Sequence, residues 1–258
     1  MTAPETIDRA AIPALVNYDT AVDWPARLER EGPFLLRVLA DAPSRRVIDL
    51  GSGTGEHARW LAGQGFTVVG IEGLVERWEV ARRGAPDGVE HLLGDFGAVE
   101  AMVRGQFGAA LCLGNTLPAL LGAESLSRTL VGLRRRLLPG GPFVVHILNY
   151  DRLFARRERL LPARFLSSGD GELMFLRLLE LRDDGVVGVT ETVLDHQPAR
   201  ESRIEVVHTR HLFQQGWRHQ ELLTVLDVAR FASVEAFGGL EEQPFEPMSS
   251  EELVLVAR

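Results

Sequence analysis

Val47-Ile48-Asp49-Leu50-Gly51-Ser52-Gly53-Thr54-Gly55-Glu56 decides the fold. A short apolar run, Val47–Leu50, meets three glycines at alternating positions, and a helical stretch, Glu56–Gly63, follows at once. Glycines let a chain turn tightly and let a ligand approach the main chain without meeting a Cβ. The first turn of the helix then offers unpaired N–H groups and the positive end of the helix dipole. A dinucleotide fingerprint reads GxGxxG and sets pyrophosphate on that helix. Here the spacing is GxGxG, and Asp49 precedes it. An acid beside pyrophosphate repels; beside a cationic amino group or sulfonium it attracts.

Outward from this turn, strand and helix patterns alternate. Thr67–Glu72, His91–Leu93, Ala109–Leu113 and Phe143–Leu148 read as further buried strands. Val75–Arg83 and Glu124–Leu138 read as helices, the second stopped by Pro139-Gly140-Gly141. Such alternation predicts parallel βαβ units. Residues 7 to 40 read as one or two amphipathic helices, with Pro25 and Pro33 each placed to open a new one. The period changes after this. Leu173–Leu181, Val186–Leu194 and Ile204–Leu212 read as strands, the first two joined by a hairpin turn at Asp183-Asp184-Gly185. Arg152–Arg164 is arginine-rich and reads as a solvated helix face. A helix at Arg218–Ala229 and an antiparallel pair, Val234–Phe237 with Leu253–Val256, close the pattern.

Four signals fall where strands end. Besides the glycine turn, Glu72 ends the second strand, where a carboxylate can accept from both hydroxyls of a ribose. Gly94-Asp95-Phe96 follows the third strand; Asp95 suits an exocyclic amine and Phe96 the face of a base. Leu113-Gly114-Asn115-Thr116 follows the fourth strand. In open α/β sheets ligands sit outside the carboxyl ends of strands, so the four converge on one crevice.

Composition narrows the function. The 258 residues are 45% hydrophobic and 25% charged, ordinary for a globular domain. A net charge of −8 argues against a nucleic-acid binder, which needs a basic face. Cys112 is the single cysteine, so no internal disulfide forms and a reducing compartment fits; within its apolar run it reads as a buried thiol. No apolar run approaches the ~20 residues of a membrane span. Met1–Ala10 lacks the basic and apolar blocks of a signal peptide, so a cytoplasmic location is expected.

These residues together resemble the class I S-adenosylmethionine (SAM)-dependent methyltransferases over roughly residues 15 to 160. Asp49, Gly51, Ser52, Gly53 and Gly55 look like their first motif, Glu72 with Gly73 like their ribose-binding acid, and Asp95-Phe96 like their adenine contact. Cys112-Leu113-Gly114-Asn115-Thr116, Leu138-Pro139-Gly140-Gly141 and Asn149-Tyr150-Asp151 look more like the glycine/sarcosine N-methyltransferase branch. The resemblance implies an α/β fold: a Rossmann-like, mostly parallel seven-stranded sheet with helices on both faces, plus N-terminal helices and a late antiparallel β insertion. It divides the chain into an N-terminal helical cap (1–40), a SAM-binding core (41–160), an insertion over the active site (161–213), and a C-terminal helix with closing strands (214–258). It implies SAM as cofactor, S-adenosylhomocysteine as product, and Tyr18 as an N-terminal tyrosine closing over SAM.

Methyl transfer from a sulfonium is an in-line displacement, so alignment supplies most of the catalysis, about 7–11 kcal/mol of the barrier. His146, Asn149 and Tyr150, after or within the fifth strand, are the catalytic candidates, while Leu113, Gly114 and Asn115 are expected against the cofactor. Arg152 could pair with an acidic substrate group or lie at the surface, and Trp24 could wall the substrate pocket or pack its helix. No arginine matches a substrate carboxylate. His208 and His211 make a poor metal pair, and no metal is expected. The expected partner is a small-molecule acceptor, with neither nucleic acid nor membrane, in a monomer or homodimer. An amine nitrogen is the expected acceptor. O-methylation, a non-catalytic SAM-binding module and a nucleotide-dependent oxidoreductase are the other readings, the last lacking its GxGxxG.

Overall fold

The computed structural model describes residues 22–168, 171–197 and 203–258. Eleven strands are found among the described residues. They are β1 (Arg46–Leu50), β2 (Thr67–Glu72), β3 (Val89–Leu93), β4 (Ala109–Cys112), β5 (Phe143–Leu148), β6 (Leu160–Ser168), β7 (Gly171–Leu181), β8 (Val186–Gln197), β9 (Arg203–Gln215), β10 (Val234–Phe237) and β11 (Glu252–Ala257). The helices are α1 (Trp24–Ala40), α2 (Glu56–Gly63), α3 (Val75–Arg83), α4 (Val99–Met102), α5 (Ala123–Arg136), α6 (Tyr150–Arg156) and α7 (His219–Val228). The chain divides into two compact units, one formed by Trp24–Ala155 with Gln215–Arg258, the other containing Arg156–Gln214.

The first unit is a seven-stranded sheet in the order β10-β11-β5-β4-β1-β2-β3. Strands β1 to β5 pair in parallel. β11 runs antiparallel between β5 and β10. Chain order reverses between β1 and β4, the switch point at which open α/β sheets form their crevice. Both faces of the sheet are buried, as parallel sheets require. Val47, Leu111, Val144 and Val254 join Phe34, Leu35 and Val38 of α1 and Leu61 of α2 in one apolar cluster. The alternate residues Ile48, Ala110, Val145 and Leu255 are buried as completely and point the other way.

Two local expectations change. Pro33 does not open a new helix but lies inside α1. An interior proline costs about 3 kcal/mol in a lone helix. Here Phe34, Leu35, Val38 and Leu39 are all at most 2% exposed, and each buried side chain returns roughly 1.5–3 kcal/mol, so tertiary burial overrides the local break. The arginine-rich segment Arg152–Arg164 is not one helix face either: α6 stops at Arg156 and β6 begins at Leu160. A register shift between Leu161 and Arg164, around Pro162, breaks the alternation that identifies a strand.

The second unit is a four-stranded sheet, β6-β7-β8-β9. Its central hairpin turns at the expected Asp183-Asp184-Gly185. Gly185 takes φ +82°, and the Asp184 carboxylate accepts from the Val186 N–H at 3.0 Å. Leu173, Phe175 and Val193 form its own small apolar cluster.

Candidate functional site

The turn from β1 to α2 is built on left-handed backbone: φ is +69° at Gly51, +58° at Gly53 and +85° at Gly55. The Gly51 and Ser52 amides both donate to the Ile71 carbonyl, at 2.8 and 3.0 Å, hooking the turn onto β2. The Gly53 amide donates to Glu72 Oε2 at 2.9 Å, and the Leu74 amide to Oε1 at 2.8 Å. Each carboxylate oxygen has a second lone pair, so Glu72 keeps acceptor capacity while bracing the loop. The two outer glycines answer to the protein's own packing. A Cβ on Gly51 would stand 2.1 Å from Thr116 Cγ2, and one on Gly55 would stand 2.8 Å from the His91 ring. At Gly51 and Gly55 the missing Cβ thus makes room for the protein's own Thr116 and His91 side chains.

His91 is buried under the turn. Its Nδ1 lies 3.4 Å from Ser52 Oγ, and its Nε2 meets no hydrogen-bond partner among the described residues. Burial, helped by the Arg59 charge, lowers its pKa to about 4, so the ring is neutral at physiological pH. Asp95 begins a short 3₁₀ turn, Phe96–Ala98, and accepts from the Gly97 amide at 2.7 Å; Phe96 is buried beside it. Gly73 faces the Gly94 carbonyl across the ends of β2 and β3.

Above the apolar cluster lies a layer of buried charge at the carboxyl end of the sheet. Asp49 is 3% exposed. Burial, with a further push from Glu72 and against the pull of His57, raises its pKa to about 6. No side chain or amide among the described residues hydrogen-bonds to it. Glu31 of α1 is 2% exposed and bonds His57 Nε2 at 3.0 Å and Arg27 Nε at 2.7 Å. Burial alone would raise Glu31, but the His57 bond and the Arg27 charge outweigh it and hold its pKa down to about 2. Arg27 Nη2 lies 3.6 Å from where a Gly114 Cβ would stand, so its guanidinium rests against the end of β4. Farther along, His146 Nε2 pairs with Glu252 of β11 at 3.2 Å, and its Nδ1 has no partner among the described residues. Burial would raise the Glu252 carboxyl, yet the His146 bond carries it below its ordinary value.

Reading the sequence alone missed Arg27, Glu31, His57, His91 and Glu252. One signal was present. Arg27, Glu31, Phe34, Leu35 and Val38 fall at helical spacing on one stripe, and ionic residues on a core-facing stripe ask for partners.

Beyond β4, Asn115 adopts φ +65° and ties two strand ends together. Its amide donates to the His146 carbonyl at 3.0 Å, and its side chain accepts from the Leu148 amide at 3.0 Å. Its Nδ2 lies 3.1 Å from the Tyr150 hydroxyl. Tyr150 is 1% exposed, so it reaches the strand ends only through its hydroxyl. Asn149 is fully buried; its Nδ2 donates to the Pro247 and Ser250 carbonyls, and its Oδ1 accepts from the Arg152 amide. That bonding makes Asn149 a brace for the β10–β11 loop, not a group facing an acceptor. Of the three residues after β4, Leu113 is buried in the apolar cluster, Gly114 lies beside the Arg27 guanidinium and Asn115 is bonded to the His146 carbonyl. Arg152 pairs with Glu251 at 3.7 Å. Trp24 meets the His57 ring edge-on and underlies Arg27, as helix packing predicts. His208 and His211 fall on opposite faces of β9, His211 beside Thr190 at 3.1 Å. Tyr18 lies outside the described residues. Among the described residues no His, Cys, Asp and Glu group has metal-binding geometry, and no helix is long and apolar enough to cross a membrane.

Residues 47–141 match the family described as "Methyltransferase domain". The chain is 32% identical over 140 residues to a glycine/sarcosine N-methyltransferase of Parasynechococcus marenigrum, covering 53% of this chain and 50% of that one. It is 33% identical over 126 residues to a dTDP-3-amino-3,6-dideoxy-alpha-D-glucopyranose N,N-dimethyltransferase of Streptomyces fradiae, covering 48% and 44%. The chain thus spans about half the length of the curated relatives it matches. The CcbJ methyltransferase of Streptomyces caelestis shares the fold, with TM-score 0.71, 24% identity and 89% of each chain covered.

Proposed function

We propose that this chain, which carries a methyltransferase domain over residues 47–141, is a SAM-dependent methyltransferase acting on the amine of a small molecule. One observation carries the reading. Asp49 is a buried carboxyl with no hydrogen-bond donor among the described residues, next to a second carboxylate, at the open end of the sheet. Such a group is unstable as an anion unless a cation arrives. The α-ammonium and sulfonium of SAM are cations of the required kind. The rest of the crevice fits the same ligand. Glu72 retains lone pairs for two hydroxyls, and Arg27 offers a guanidinium at Gly114 for a carboxylate. Asp95 and Phe96 border the side where a base would lie.

Bound there, SAM supplies an electrophilic methyl group on a good leaving group. The chain's own work is alignment and exclusion of water. Arg27 and Asp49 hold the two ends of the amino-acid tail. Asn115, fixed by Leu148 and Tyr150, shapes the edge where the acceptor enters. His146, whose Nδ1 is unoccupied and whose Nε2 leans on Glu252, is the group suited to take a proton from an ammonium acceptor. Tyr18 and Gly73 keep their expected cofactor roles in this proposal. A cytoplasmic enzyme with a small-molecule partner, as monomer or homodimer, completes it; the amine is favoured because both curated relatives above are named as N-methyltransferases.

The test is direct. S-adenosylhomocysteine at a hundred times its dissociation constant should stabilise the fold by about 2.7 kcal/mol, seen as a raised melting temperature. Glycine, sarcosine and a nucleotide-linked amino sugar are then offered with SAM, and methylated product is sought by mass spectrometry. A chain that ignores S-adenosylhomocysteine sinks the proposal.

A further inference from the structure

We propose that Glu31 is a positioning residue for the cofactor's amino-acid tail: with His57 behind it, it fixes the Arg27 guanidinium so that the outer nitrogens meet the tail's carboxylate at the end of β4. This inference rests on the methyl-transfer reading above. Arg27 and Glu31 stand one helical turn apart on α1, and Arg27 Nε donates to Glu31 Oε1 at 2.7 Å. That bond spends Nε and not the Nη fork, of which Nη2 lies beside Gly114. The other carboxylate oxygen meets His57 Nε2 at 3.0 Å. Burial raises the Glu31 pKa, yet the His57 bond and the Arg27 charge hold it to about 2, so the group is ionised at neutral pH. An ionised carboxylate only accepts, so His57 Nε2 carries the proton and donates. His57 is the second residue of α2, which opens straight from the glycine turn. One carboxylate thus joins the arginine to that turn. Trp24 closes the cluster: the guanidinium lies 4.8 Å from its ring centroid, and His57 meets the same residue edge-on.

Ion pairs one turn apart on a helix are ordinarily exposed and weak. In this one the Glu31 side chain is 2% exposed and that of Arg27 11%. The exposed Arg30 comes no nearer to Oε1 than 3.6 Å. Desolvating such a pair is costly, and apolar side chains in its place are often as stabilising, so its worth lies in orientation. An unrestrained arginine loses rotamer freedom when it grips an anion; a guanidinium already held by Glu31 and Trp24 has little left to lose. Its planar fork matches two carboxylate oxygens.

The experiment titrates two ligands into the full chain by calorimetry: S-adenosylhomocysteine, and 5′-methylthioadenosine, which has the same nucleoside and thioether but no amino-acid tail. Glu31→Ala should weaken S-adenosylhomocysteine tenfold or more and leave methylthioadenosine within twofold. Arg27→Ala should do the same, and the double variant should lose no more than Arg27→Ala alone, because Glu31 acts through Arg27. Glu31→Gln keeps an acceptor for Arg27 Nε without the charge, so it should bind with intermediate affinity; it also serves where Glu31→Ala does not fold, as melting curves report. Equal weakening of both ligands makes Glu31 a structural residue and overturns the proposal. So does unchanged or tighter binding of S-adenosylhomocysteine by the Glu31 variants, or a loss that adds to that of Arg27→Ala. Each of these outcomes leaves the methyl-transfer reading standing. A wild-type chain that does not bind S-adenosylhomocysteine sinks both.

Discussion

The Gly53 amide donates to Glu72 Oε2 at 2.9 Å, so the glycine turn after β1 and the end of β2 are fastened to each other before any ligand arrives. Glu72 also takes the Leu74 amide. Glu72→Ala strips acceptors from two backbone donors, and a buried unsatisfied donor costs about 1–3 kcal/mol. The variant should melt lower and bind S-adenosylhomocysteine at least tenfold more weakly, by calorimetry. Unchanged affinity would show that Glu72 is a loop brace alone.

Gly55 and His91 should be energetically coupled. Gly55→Ala places a Cβ at φ +85° and 2.8 Å from the His91 ring, so it should destabilise by about 1–3 kcal/mol. His91→Ala removes the obstacle but not the backbone strain. The double variant should therefore recover part of the loss, and a cycle of denaturant melts should give a coupling of about 0.5–3 kcal/mol. Simple additivity would mean the ring moves aside freely.

Two buried carboxyls oppose each other in pH. Glu31 is depressed from an ordinary 4.5 to about 2. Its stabilising effect is complete above 4.5 and is lost as pH falls through about 2. Asp49 is raised from 3.8 to about 6; its effect is complete below 3.8 and is lost as pH rises through about 6. Glu31→Gln should flatten the acid limb of stability below pH 4.5. Asp49→Asn should gain on the wild type between pH 4 and 7. Chemical denaturation across that range measures both.

The same carboxyl makes cofactor binding pH-dependent. A cationic ligand favours ionised Asp49, so affinity for SAM should rise as pH climbs through about 6 and binding should release protons there. Calorimetry in buffers of different ionisation enthalpy counts them. Asp49→Asn should abolish the dependence, and a flat profile in the wild type would place the cation elsewhere.

Cys112 should be inert. It is fully buried, and burial, with the Asp49 charge, pushes its thiol far above the usual range. Iodoacetamide should label it only after unfolding, read by intact-mass spectrometry.

Much of the parallel core was legible because its signals are local. Thr67–Glu72, Val75–Arg83 and Phe143–Leu148 carry their period within a few residues, and the glycines announce the turn. β6 was not legible, because Pro162 and the shift beside Leu161 erase a two-residue alternation. Nor was the charged layer. Glu31 and His57 are 26 positions apart on two different helices, and His146 and Glu252 about a hundred apart on the paired strands β5 and β11, so only the tertiary fold brings each pair together. Asn149 sits in a motif that resembles a catalytic one, but its partners are backbone carbonyls of a distant loop, which no side-chain pattern reveals.

The position of β11 has a cost in time. It lies inside the sheet, yet it is made roughly a hundred residues after its neighbour β5. During synthesis β5 therefore waits with one edge bare, its apolar residues open to a wrong partner, while the four-stranded unit emerges in between. Closing so long a loop is slow, and it makes the last pairing of the sheet the step most open to aggregation and to rescue by a chaperone.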